Sequence, residues 1–228
     1  MNLDDRLNSI TERVAQTERV SAVDIPSELA EPTSFLKVLR ARHYNWESDR
    51  FRKLFAMRFD VKIPPLQQLN TIFYPRVQYD TPVFIFFMLL TKRKAIAHLN
   101  INCPFDTPDY RQNWQVPFAK IISDYDSFET KDRYPEWMKK YKNDCTIYGL
   151  FPKDRADDLS ECCTRFLDLY MDKVAASVPV TDPEPLSTIR DFHAQWVDDI
   201  RTQDKAQSMI AKMIGKKTAR RIFYEVTT

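Results

Sequence analysis

The chain has 228 residues, 43% of them hydrophobic and 29% charged, with 34 basic against 32 acidic side chains and a net charge of +2. This is the composition of a globular rather than a disordered chain, and the near-balanced charge argues against a general affinity for nucleic acid. The longest apolar run, Val83 to Leu90, is too short to span a membrane, and the polar start MNLDDRLNSITERV carries no apolar signal core or transit-peptide bias. A cytoplasmic protein is expected.

Asn2 to Val20 predicts an amphipathic helix with Leu7, Ile10, Val14 and Ala15 on one stripe. Strand-like runs follow the loop that holds Pro26 and Pro32. Leu36 to Trp46 is weakly strand-like, and Phe51 to Val61 alternates clearly. Leu69 to Tyr74 is closed by Pro75. Val83 to Leu90 leads through the basic turn Thr91-Lys92-Arg93-Lys94 into Ala95 to Asn102. Strands joined by short turns predict an antiparallel meander.

Helices are expected to dominate afterwards: Arg111 to Ser123, then, beyond one more strand at Asp144 to Phe151, a long helix over Asp157 to Val178. Thr181-Asp182-Pro183 is a helix start, since Thr or Asp can cap and Pro fits the first turn. That helix runs to about Asp199, with Leu186, Ile189, His193, Trp196 and Ile200 on its buried side. A last stretch covers Lys205 to Ile214, and a short helix follows Gly215. One domain spanning residues 1–228, with a central sheet and helices on its faces, is the economical arrangement.

Glycine is the most informative count. Gly149 and Gly215 are the only two, so neither a dinucleotide fingerprint nor a phosphate loop can be built. His43, His98 and His193 are too dispersed to suggest a multi-histidine metal site, and Cys103, Cys145, Cys162 and Cys163 lack zinc-type spacing. Reduced, partly buried thiols are expected. Within "IAHLNINCPFD", Ile96, His98, Asn100 and Asn102 share one strand face. Three polar groups on a face are either solvated or line a polar-ligand pocket, because burying them unpaired is costly.

The runs "LNTIFYPRVQYDTPVF" and "LNINCPFDTPDY", with a C-terminal third reading "VTDPEPLSTIRDFHAQWVDDIRTQDKAQSMIAKMIGKKTARRIFYEV", resemble the ferredoxin-dependent bilin reductases. The likeness covers about Phe51 to Val226. It rests on the ordered set: Tyr74-Pro75, then Tyr79-Asp80-Thr81-Pro82, then a terminal helix, an Asp and a Gly before the last helix. It implies an α/β/α three-layer sandwich with a central antiparallel sheet, a flat bilin gripped between the sheet and the C-terminal helices, and no bound cofactor or metal. Electrons would come one at a time from reduced [2Fe-2S] ferredoxin, and side chains would supply protons.

The resemblance implies Asp204 as the leading proton donor, with Asp80 second. His98, the only histidine on its strand, is a further candidate acid. Asn100 stands where the family has its sheet carboxylate. With Asn102 and Asn70 it is expected to bond lactam oxygens or pyrrole nitrogens. Phe84 occupies the position where some members keep a histidine; with Phe55, Phe73 and Phe86 it is a candidate to stack on the substrate, core packing being the default. Arg58 and Arg76 are candidates for the propionates. Lys92, Arg93, Lys94, Lys216, Lys217, Arg220 and Arg221 are candidates for either the propionates or an acidic ferredoxin. Asn70 and Ile72 replace the histidine and acid of the phycocyanobilin branch, and Lys205 and Gln207 replace the Pro and Arg that often follow the C-terminal Asp. The expected activity is therefore reduction of biliverdin IXα or 15,16-dihydrobiliverdin to a phycoerythrobilin-type or phytochromobilin-type product. Loss of the sheet carboxylate leaves a non-catalytic bilin carrier as the alternative.

Overall fold

The computed structural model describes residues 2–34, 38–125, 128 and 134–228. Seven strands pair in strict chain order into one antiparallel sheet: β1 (Ser21–Ala22), β2 (Leu39–Glu47), β3 (Phe51–Val61), β4 (Leu66–Pro75), β5 (Val83–Thr91), β6 (Lys94–Asn102) and β7 (Ile147–Pro152). The predicted strand from Leu36 begins at Leu39; residues 36–37 lie outside the described set. Because side chains alternate along each strand, the register divides the sheet into two unlike faces.

The first face is apolar. Leu54, Phe73, Phe84, Phe86, Leu99 and Ile101 meet the helices α1 (Leu3–Thr17), α4 (Val116–Ser123) and α5 (Ala156–Ala176). α1 starts where the Asn2 side chain accepts the Asp4 N–H at 2.9 Å, and it buries Leu3, Leu7, Ile10 and Val14. It ends at Glu18, whose backbone is extended, so the predicted helix loses its last turn. Short helices α2 (Ser27–Ala30) and α3 (Pro108–Tyr110) complete this part of the chain, and α3 continues through a π-helical turn, Arg111–Gln115, into α4. α5 follows the predicted stripe, burying Leu159, Cys162, Cys163, Phe166, Tyr170 and Val174.

The second face is covered mainly by the end of the chain, α6 (Pro183–Gln203), α7 (Ala206–Ile214), α8 (Lys216–Arg221) and a final π-helical turn, Ile222–Thr227, together with Leu29 of α2 and a 3-10 turn, Glu136–Tyr141. Phe55, Met57, Phe59, Ile72 and Ile85 of the sheet pack against Trp196, Ile200, Ile210 and Ile222. Each fully buried side chain of this size contributes roughly 1.5–3 kcal/mol. Gly215 sits at φ +90°, the left-handed region, where it breaks the chain between α7 and α8. The fold is thus an α/β/α sandwich around an antiparallel sheet. All four cysteines are free thiols. Among the described residues no helix is long and apolar enough to cross a membrane.

Candidate active site between the sheet and the C-terminal helices

The second face carries the polar side chains. Register sets His43, Met57, Asn70, Phe87, His98 and Tyr148 in one row across the sheet, and Asn45, Phe55, Ile72, Ile85 and Asn100 in the next. His98, Asn100 and Asn102 are buried, so their stripe is not solvated. Much of it is satisfied internally. Asn100 donates to Asn102 Oδ1 (2.8 Å) and to the Tyr141 carbonyl (3.0 Å), and accepts from the Thr146 hydroxyl (3.0 Å). Asn102 donates to the Val83 carbonyl at 3.4 Å. With both N–H groups used, Asn100 has no spare donor for a ligand.

His98 Nε2 lies 3.1 Å from the Tyr134 hydroxyl, with the Tyr134 and Tyr148 rings edge-on to it. Burial drops its pKa to about 3, so the ring is neutral at pH 7. This corrects the expectation of an acid titrating near neutrality: a neutral imidazole bonded to a tyrosine hydroxyl positions groups but holds no surplus proton.

Asp204 terminates α6 and is half-buried. Its Oδ1 accepts the Ala206 N–H at 2.8 Å, a turn that seats the start of α7. Burial pushes its carboxyl above the ordinary value, against the smaller opposing effect of that hydrogen bond. Its charge is felt by Tyr148 and Tyr74, both on the second face, whose hydroxyls burial already holds protonated. Asp204 thus sits at the α6–α7 junction of the helical layer that covers this face, with its charge bearing on Tyr148 and Tyr74.

Two predicted ligand contacts are on the wrong side. Phe84 is fully buried on the first face, 5.0 Å from Phe73 and 5.3 Å from Tyr170 between ring centroids, so strand alternation turns it away from Asn100. Arg58 also points to the first layer: it bonds Asp4 (3.1 Å), Asp60 (3.1 Å) and the Gln68 carbonyl (2.7 Å), stitching α1 to the sheet. Arg76 is held at the β2–β3 turn by the Ser48 carbonyl at 2.9 Å and by Glu47 at 3.6 Å. The backbone of Asp80 accepts from the Tyr110 hydroxyl, and burial raises its carboxyl pKa. Tyr110 belongs to the first layer, and among the described residues no hydrogen bond joins Asp80 to Asp204, His98 or Asn100. Asn70 does lie on the second face, with its Oδ1 buried and unpartnered.

Sequence reasoning missed several groups here. Tyr74 Oη, Asn45 Oδ1, both ring nitrogens of His193 and Trp196 Nε1 are buried on this face without partners. Each such atom costs about 1–3 kcal/mol unless something else satisfies it. Period-two counting from Asn70 reaches Tyr74, so that signal was available. A bulge between Phe51 and Lys53 was not legible; it brings Arg52 over the Tyr74 ring at 4.6 Å, while Lys53 bonds the Val226 carbonyl at 3.1 Å. Asp199 is a further buried acid on α6, tied to Lys140 at 2.7 Å and to the Tyr141 hydroxyl.

The layers close tightly. The cleft between the sheet and α7, lined by Leu39, His43, Met57, Phe59, Ile210 and Ile214, amounts to about 10 Å³. A larger cavity of about 50 Å³ lies in the first layer among Ile10, Val14, Trp46, Leu54 and Phe73, and holds no acid or base. Neither of these two cavities is large enough to hold a flat tetrapyrrole.

The sheet thus has two unlike faces, and the second, roofed by helices that carry a desolvated acid, holds buried polar side chains among its apolar ones. The chain belongs to the ferredoxin-dependent bilin reductase family, whose model matches residues 7–227. It is an oxidoreductase of that family. It is 23% identical over 175 residues to a phycoerythrobilin:ferredoxin oxidoreductase of Gloeobacter violaceus, covering 75% of this chain and 71% of the relative. Its fold matches tomato phytochromobilin synthase, solved in complex with biliverdin, with a TM-score of 0.87 at 13% identity over 98% of this chain and 82% of that one. A protein designated PcyX superposes with a TM-score of 0.53 at 10% identity, covering 98% and 96%.

Proposed function

We propose that the chain reduces biliverdin IXα, or 15,16-dihydrobiliverdin, to a phycobilin of the phycoerythrobilin type. Each reduced double bond takes two electrons, delivered singly by reduced [2Fe-2S] ferredoxin, and two protons. The 23% relative named for phycoerythrobilin supports this choice of product class. The observation that carries the reading is Asp204: a half-buried carboxyl with a raised pKa, at the junction of α6 and α7 in the layer that covers the second face, its charge bearing on Tyr148. Burial that raises the pKa favours the protonated acid, the form that can hand a proton to the ligand's radical anion. Asp80, also desolvated, is the second proposed donor, and Asn70 a proposed partner for a lactam or pyrrole nitrogen.

A ligand pocket for a molecule of drug size needs several hundred Å³. The cleft against α7 is far smaller, so in this reading a tetrapyrrole enters there as α7 and its neighbours lift from the sheet. The second reading, a bilin carrier without turnover, is favoured by one feature: Asn100 stands where the resemblance calls for an acid, and its amide is consumed by Asn102, Tyr141 and Thr146.

The test is anaerobic turnover of biliverdin with a ferredoxin-reducing system, with products separated by chromatography. Wild type is expected to give a phycobilin. Asp204→Asn is expected to bind biliverdin with its absorption shift intact and to lose product formation at least a hundredfold. Binding without turnover by wild type would select the carrier.

A further inference from the structure

Buried polar atoms without partners mark places where another molecule can complete the hydrogen bonding. The second face holds six among its described residues: Asn45 Oδ1, Asn70 Oδ1, Tyr74 Oη, Trp196 Nε1 and the two ring nitrogens of His193. They come from facing elements. His193 and Trp196 lie on the α6 stripe, with Ile189 and Ile200, that covers the sheet. Tyr74 and Asn70 lie on β4 below.

Position sorts these groups. Asn70 and Tyr74 are four residues apart on one strand, about 13 Å at about 3.3 Å per residue, so no small ligand meets both. Trp196, one turn along α6 from His193, is buried in the same cluster as Tyr74, and Arg52, which lies over the Tyr74 ring, also bears on His193 by its charge; His193 and Tyr74 thus belong to the same region of the face. A large flat ligand touching Asn70 at one edge reaches this second pole at the other.

We infer that His193, together with Tyr74, contacts the substrate at one polar edge of the open-chain tetrapyrrole, a ring edge that carries N–H and C=O. The inference rests on the bilin reading above. Chemistry selects the edge. Burial and the neighbouring Arg52 hold the pKa of His193 at about 4, so its ring is neutral and offers one N–H donor and one lone pair. A carboxylate only accepts, and would leave the imidazole lone pair unpaired. A lactam or pyrrole edge supplies both a donor and an acceptor, and the Tyr74 hydroxyl can take either role. The two histidines nearest the sheet plane are already engaged, His43 with the Leu29 carbonyl at 2.7 Å and His98 with Tyr134; His193 is the one held in reserve.

The purified full chain is titrated with biliverdin by absorbance, and its thermal midpoint is measured without ligand. His193→Phe removes an unsatisfied buried polar group, so the free variant is expected to melt at or above the wild-type midpoint. Its biliverdin Kd is expected to rise at least tenfold, with Tyr74→Phe weakening binding in the same direction. His193→Asn, which restores a donor and an acceptor, is expected to recover part of the affinity. Wild-type-like binding by His193→Phe overturns the inference and leaves the bilin reading standing, as does a weakened Kd that tracks a fallen midpoint. A wild type that does not bind biliverdin overturns both.

Discussion

At Asp204 two influences oppose each other: the Ala206 N–H favours the carboxylate, and burial favours the acid and dominates. A group whose folded pKa is raised gives stability that is fully present below its unfolded value and lost as pH rises through the folded one. Near pH 7 wild type therefore carries a cost that an amide lacks. Asp204→Asn is expected to be more stable than wild type at pH 7 in urea unfolding, with the difference vanishing near pH 3, even as its turnover fails. His98 runs the other way. Because burial keeps it neutral, His98→Gln is expected to retain the wild-type pH–rate profile; the disappearance of an ionisation near pH 6.5 in the variant would restore His98 as an acid.

Among the elements, strand alternation decides which side chains can meet. Arg58 and Phe84 are one residue out of step with the polar rows, and that single step moves them to the α1–α5 layer. Arg58→Ala is accordingly expected to lower unfolding stability by about 2 kcal/mol, since it strips a donor from the buried Gln68 carbonyl and frees two acids that are only half-buried, while leaving the biliverdin Kd unchanged. A tenfold loss of affinity would return Arg58 to the substrate. The meander, the α5 stripe and the start of α6 at Pro183 were legible because period two, period 3.6 and a proline in the first helical turn are local signals, although Asp182 makes no side-chain cap hydrogen bond. So was the shared face of His98, Asn100 and Asn102. Which layer covers that face was not legible, nor was the partnering of Asn100 by Tyr141 and Thr146, because those contacts join residues some forty positions apart. The bulge at Arg52 leaves no composition mark at all.

For the molecule as a whole, the histidines set the acid limit. Burial lowers His43 to about 4, His98 to about 3 and His193 to about 4, from an ordinary 6.5. The unfolded chain binds these protons first, so stability present above pH 6.5 is lost as pH falls toward 4. The slope approaches about 4 kcal/mol per pH unit when all three contribute at about 1.4 each. Urea unfolding across pH 4–7 measures this, and His98→Gln is expected to remove about one third of the slope. The exposed turn Lys92, Arg93 and Lys94 is the proposed ferredoxin contact. If so, the ferredoxin-supported rate falls steeply between 20 and 300 mM salt, on the order of tenfold, and reversing these three charges flattens the response.

The sheet is complete at Pro152, and the helices α6 to α8 that roof most of its second face are made later in the chain. The roof from Pro183 onward owns no rung of the ladder. It can swing out and return with every interstrand N–H···O bond intact; admitting a bulky guest costs side-chain packing and the hydrogen bonds that Asn45 and Lys53 make to the Val226 carbonyl, with the β-scaffold serving as an unmoving floor.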